Sequence, residues 1–190
     1  MSRHVALLRG INVGGRKRVA MADLRQVVAS LGHTDVVTYI QSGNVVFTAA
    51  GGEADTATLA ATLERAFAEN LGVAPKVVVL SRDQLAQVIA DNPFPGESDP
   101  KCLHAVFRND DLGREGVAHL ALAAERARSK GSHDEAQLVG RTLYLHTPGG
   151  LGRSVLAIEL GRAKGALSAG ADSTVRNWAT VLRLLALCDA

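Results

Sequence analysis

Cysteines and aromatic residues are both scarce in this chain of 190 residues, which has two cysteines, one tryptophan, two tyrosines and four phenylalanines. Cys102 and Cys188 lie far apart, with no CxxC spacing and no paired histidine motif, so neither a disulfide framework nor a structural zinc is expected. Both thiols are expected to be reduced and buried. No apolar run approaches the ~20 residues that a membrane-spanning helix requires, and the opening MSRHVALLRG has too short an apolar stretch for a secretory signal. The expectation is a soluble cytoplasmic protein with no membrane partner. HExxH and HxH are missing, and His4, His104 and His146 sit on predicted strands, so no metal is expected. GxGxxG and GxxxxGK[ST] are missing too, which removes the nucleotide-fold fingerprints and leaves no cofactor implied. Without GxSxG, Ser42 is not read as a nucleophile.

What is present is an ordinary globular composition, 47% apolar and 21% charged, in a chain long enough to bury on the order of 70% of its extended surface. The net charge of +2 hides an uneven distribution. Residues 1–20 carry five basic and no acidic side chains, residues 21–140 carry 10 basic and 16 acidic, and residues 141–190 carry 6 basic and 3 acidic. Such asymmetry marks an anion-binding face if the basic ends meet, and solvated surface if they do not.

The order of elements reads clearly in the first half. His4 to Leu8 is a short apolar run of the kind found in a strand covered on both faces. Glycines 10, 14 and 15 then break all periodicity in a basic loop. Met21, Leu24, Val27, Val28 and Leu31 trace one face of a helix stopped by Gly32. Residues 36–41 and 45–48 form a β-hairpin around Ser42, Gly43 and Asn44. A second helix carries Leu59, Leu63, Ala66, Phe67 and Leu71, and Lys76 to Leu80 is a fourth strand. The order β-α-β-β-α-β predicts a split βαβ, ferredoxin-like subdomain over residues 1–92, its first strand flanked by the third and fourth. A third helix opens with the capping box Ser81 and Gln84 and ends before Pro93.

Residues 93–100, rich in proline, read as a linker to a second subdomain, 101–190. There the order partly recurs: a strand from Cys102, a helix showing Val117, Leu120, Ala121 and Ala124, and a second hairpin. Arg108 takes the place of Arg9. The unit then diverges, because residues 155–160 and 175–187 look helical and no eighth strand is evident. Ser173 or Thr174 would cap the last helix, with Trp178, Val181, Leu182 and Leu185 facing the core. The fold class expected is thus α+β, with two ferredoxin-like subdomains built on antiparallel sheets, the second one divergent.

In this topology the loop after the first strand and the first hairpin project from one edge of the sheet. Arg9, Asn12, Arg16, Lys17, Arg18, Ser42 and Asn44 would then share a polar rim. Gly14 and Gly15 let the backbone approach a ligand, and their N–H groups can join arginine forks around a phosphate or carboxylate. The plainer reading makes the glycines turn formers, the basic residues solubilising and Ser42 and Asn44 hairpin chemistry. Arg176 and Asn177, placed near a helix start, are a further pair that would complete the anion site.

The strings ALLRGINVGG, VAMADLRQVV, TYIQSGNVVF, DNPF, LYLHTPGGLGRS and TVRNWATV together resemble the bacterial domain-of-unknown-function family 1697 (DUF1697). Its motif positions fall on Arg9, Gly10, Asn12, Gly14, Gly15, Gln41, Ser42, Gly43, Asn44, Arg176, Asn177 and Trp178. The resemblance implies an α+β structure of two ferredoxin-like subdomains and supplies no activity, substrate or cofactor. One departure is Val155, where the family usually has lysine after GRS, which weakens that helix start as an anion site. Three functions compete. A binding module for a phosphate-bearing ligand uses the two basic segments. An enzyme would need a cleft between the lobes, and a structural or oligomeric protein would pair its sheet edges. Nucleic-acid binding has weak support, since seven aromatic residues and no RNP string leave little base stacking.

Overall fold

The computed structural model describes residues 3–12, 18–51, 55–162 and 172–190. The chain divides into two compact units, one made of Met1–Gln87 together with Leu182–Ala190 and the other of Val88–Val181.

In the first unit, β1 (Arg3–Arg9), α1 (Met21–Ser30), β2 (Thr34–Tyr39), β3 (Asn44–Thr48), α2 (Thr56–Leu71) and β4 (Lys76–Ser81) follow one another, and α3 (Arg82–Ala90) comes next. The sheet has the order β2-β3-β1-β4 with every neighbouring pair antiparallel. The first strand therefore lies between the third and fourth, as the element order required. β1 and β3 are apolar because both their faces are covered, and every residue from Val45 to Thr48 is buried. On one face, Ala6, Leu8, Val45, Phe47, Val77 and Val79 meet Leu24 and Val28 of α1 and Leu63 and Phe67 of α2. Each large side chain buried there contributes about 1.5–3 kcal/mol. Asp55 caps α2 by accepting from the Thr58 amide at 3.0 Å, and Gly72 ends it in the left-handed conformation. The Ser81–Gln84 capping box closes in both directions, at 3.1 and 2.8 Å.

The second unit repeats the order with β5 (Leu103–Arg108), α4 (Gly113–Ser129), β6 (Glu135–Val139), β7 (Thr142–His146), α5 (Val155–Leu160) and β8 (Ser173–Asn177). Its sheet runs β6-β7-β5-β8, again antiparallel throughout. β8 corrects the sequence reading, which found no eighth strand and began the last helix at residue 175. The β-branched Thr174 and Val175 pair with Phe107 and Val106, and α6 (Trp178–Cys188) starts only afterwards. The cap is corrected as well, since Asn177 Oδ1 accepts from the Thr180 amide at 2.9 Å and neither Ser173 nor Thr174 has that role. α6 buries Trp178, Val181, Leu184 and Cys188 and leaves Leu182 exposed, so its apolar stripe is rotated from the one expected. In α4, too, Ala123 and Ala127 are the buried residues, whereas Val117 and Ala121 face solvent.

The proline-rich stretch is a series of short turns held by its own side chains. Asn92 Oδ1 accepts from the Phe94 amide, Glu97 Oε1 from Asp99 and Asp99 Oδ1 from Lys101. Glu97 Oε2 lies 2.7 Å from His146 Nε2, on whose ring Phe94 stacks. Cys188 is buried and Cys102 half-buried, both as free thiols. Burial pushes the Cys188 thiol up to about 11. No helix among the described residues is long and apolar enough to cross a membrane.

Candidate functional site

In the first unit the end of β1 meets the β2–β3 turn. β1 ends at Arg9, and the backbone turns through Gly10 at φ +75° and Asn12 at φ +56°. Asparagine tolerates this left-handed region better than most residues because its short polar side chain bonds locally. Here the side chain does more, since Asn12 Nδ2 donates to the carbonyls of Val19 and Gln41, each at 3.1 Å. The Val19 amide in turn donates to Asn12 Oδ1 at 2.8 Å. One carboxamide thus closes the loop on itself and ties it to the hairpin turn.

A second tie is made of backbone. The Leu8 amide donates to the Gly43 carbonyl at 2.8 Å. Gly43 has φ +78°, and a Cβ there would stand 2.8 Å from Leu8 Cβ and 2.9 Å from Ile11 Cδ1. Only glycine fits so close an approach at that dihedral. Ile40, at φ +49°, is also left-handed, a costly conformation for a β-branched residue. Four left-handed residues therefore gather where loop and hairpin meet.

The polar residues divide by accessibility. Asn44 is fully buried, and its Nδ2 donates to the Tyr39 carbonyl and to Ser42 Oγ, so it serves the hairpin and offers no exposed atom to a ligand. Asn12 is half-buried and engaged on both ends of its carboxamide. Ser42, Gln41 and Arg18 are exposed, and Arg9 is half-buried. Gly14, Gly15, Arg16 and Lys17 lie outside the described residues. Sequence reasoning missed Lys76, the register partner of Arg9 at the start of β4, whose ammonium lies 3.7 Å from Glu64. The signal was available, because the antiparallel pairing of β1 and β4 sets the first residue of one beside the last of the other.

Arg176 and Asn177 belong to the second unit. Arg176 sits within β8 opposite Ala105, not in a helix start, and is buried. Its guanidinium donates to Thr174 Oγ1 at 2.6 Å and to the Val175 carbonyl at 2.8 Å, and desolvation holds its pKa down at about 10. Asn177 is committed as the cap of α6. No group of three or more metal-ligating side chains occurs among the described residues.

Two four-stranded antiparallel sheets with helices between their strands define an α+β protein. The model of the family DUF1697, described as a protein of unknown function, matches residues 1–144, and the chain belongs to that family. A solved structure, that of the conserved bacterial protein SP0830 from Streptococcus pneumoniae, is similar at 23% identity over 98% of each chain, with a TM-score of 0.74. At that identity the likeness speaks for the fold. No curated protein matches.

Proposed function

We propose that the chain is a cytoplasmic binding module for an anionic, phosphate-bearing ligand, held at the rim formed by the β1–α1 loop and the β2–β3 turn. The observation that carries this is the double tie between the two stretches, Asn12 Nδ2 to the Gln41 carbonyl and the Leu8 amide to the Gly43 carbonyl. It holds Asn12 and Leu8 against the turn that carries the exposed Ser42, and the basic run Arg16–Arg18 follows Asn12 in the sequence. Left-handed backbone is costly and concentrates where a function maintains it. Arg9 and Lys76 add two cations at the same end of the sheet. Arginine forks and backbone N–H groups of glycine loops are suited to phosphate oxygens. Each unit is best assigned to the ferredoxin-like, split βαβ class, which the orders β2-β3-β1-β4 and β6-β7-β5-β8 support. The two free thiols suit a reducing compartment.

The test is calorimetric titration of the full chain with inorganic phosphate and with a nucleoside triphosphate. Arg9→Gln and the pair Arg16→Ala/Lys17→Ala should each weaken binding about tenfold, the loss of a charge-assisted contact worth ~1.5–3 kcal/mol. A short DNA duplex and a short single strand serve as comparison. Heat that is unchanged in these variants, or absent altogether, removes the reading. Binding of the nucleic acids alone, weakening steeply with salt, would replace it with phosphate-backbone recognition.

A further inference from the structure

A second cationic constellation lies in the second unit, and the reading of the rim does not use it. Glu159 of α5 is only 1% exposed. Its Oε1 accepts from Lys130 Nζ at 2.6 Å, and its Oε2 has Arg162 Nε at 3.2 Å and Arg126 at 3.9 Å. A buried carboxylate needs compensation, and one hydrogen-bonded cation supplies it. Three cations are present, so the cluster carries a surplus of two positive charges. The Lys130 hydrogen bond, aided by the charges of Arg162, Lys130 and Arg126, outweighs the upward push of burial and holds the Glu159 carboxyl below its ordinary range and hence charged.

The cations of this cluster remain partly open to solvent. Arg126, Lys130 and Arg162 are each about half exposed. Oε2 has no hydrogen-bond partner, so the two guanidiniums are held there by charge alone. Neither makes a side-chain hydrogen bond to any described residue. A guanidinium carries five N–H donors and an ammonium three, which leaves most of the donors of the three residues open. Arg126 and Lys130 come from the last turn of α4 and its cap, and Arg162 follows α5. Cations at helix C-terminal ends also complement the helix dipoles, but that role does not require three of them to converge on one buried anion.

We propose that Arg126, Lys130 and Arg162, positioned by Glu159, form a second anion-binding site that takes a multiply charged oxyanion such as a diphosphate group. The carboxylate acts as a fixed post. It holds three flexible side chains at set separations before any ligand arrives, which lowers the ordering cost of binding.

The experiment is an amide NMR titration of the full chain with inorganic pyrophosphate, repeated with the variants Arg126→Gln/Arg162→Gln, Glu159→Gln and Arg9→Gln. Pyrophosphate should shift the amides of residues 127–131 and 160–162. The double variant should weaken that response at least tenfold, and Arg9→Gln should leave it unchanged, which separates this site from the rim. Glu159→Gln is the discriminating variant because it raises the local positive charge while releasing the side chains. A built site loses affinity, about threefold or more, whereas a diffuse cationic patch gains it. Tighter binding in Glu159→Gln, a response that survives the double variant, or no shift at these amides in wild type overturns the proposal. A native-like amide spectrum for each variant excludes unfolding as the cause.

Discussion

The two units solve one construction problem with different chemistry. In each, the loop that leaves the first strand must be fastened to the hairpin that follows the first helix. The first unit uses Asn12, a neutral carboxamide with three hydrogen bonds, and a glycine pressed against Leu8 and Ile11. The second uses an exposed arginine in the hairpin, Arg141, which donates to Asp111 Oδ1 at 3.2 Å and to the Asn109 carbonyl at 3.3 Å. Its hairpin glycine, Gly140, is left-handed at φ +57° but would meet nothing within 4 Å if it carried a Cβ. A screened ion pair between exposed side chains is worth little, whereas close-packed backbone and half-buried amide bonds are costly to disturb. Among the described residues, the junction of Ile11 and Asn12 with the β2–β3 turn is therefore the more closely packed of the two. That difference is why the first rim is the better candidate for a site.

Substitutions can break this contrast in two matched pairs, the glycines first because Gly43→Ala has the largest expected effect. Gly43→Ala should lose roughly 2–5 kcal/mol, combining overpacking of ~1–3 with a left-handed penalty of ~1–2. Gly140→Ala should lose only about 1–2 kcal/mol, from the dihedral alone. Urea unfolding followed by far-ultraviolet circular dichroism measures both, and equal losses would erase the distinction. Asn12→Ala should cost about 2–3 kcal/mol, since three hydrogen bonds at ~1 kcal/mol each are removed. Arg141→Gln should cost under about 1 kcal/mol and nothing in molar salt.

Acid should act on both units alike. His33 is held below its ordinary value of 6.5 by burial and by the neighbouring His4, and His104 by burial. The unfolded imidazoles take up protons that the folded ones refuse. Their contribution to stability is complete above pH 6.5 and is lost as the pH falls below it. His33→Asn and His104→Asn should each flatten the slope of stability against pH over that range, one per unit. A slope unaltered in both variants contradicts the assignment.

Much of this was legible before any coordinates. The alternation and spacing of Leu24, Val27, Leu63 and Phe67 define helix faces, and the first strand order follows from the connectivity. Juxtaposition of Asn12 with the hairpin also follows, because topology alone brings their strand ends together. The direction of a side chain does not follow. Asn44 looked like a rim donor and is instead buried under its own turn, since a period-two pattern does not say whether a strand's first residue faces in or out. β8 was hidden by Val175, whose apolar side chain continued the helical spacing of Trp178 and Val181. The Glu159 cluster was hidden because its cations come from separate helices, distant in sequence, that only packing joins.

The most direct measurement is the amide NMR spectrum of the full chain during a phosphate titration, read at Gly10, Ile11, Asn12, Ser42 and Gly43. The account predicts saturable shifts at these five amides, abolished in Arg16→Ala/Lys17→Ala and diminished in Arg9→Gln. Amides that stay fixed to high phosphate, or that shift equally in wild type and in both variants, would contradict it.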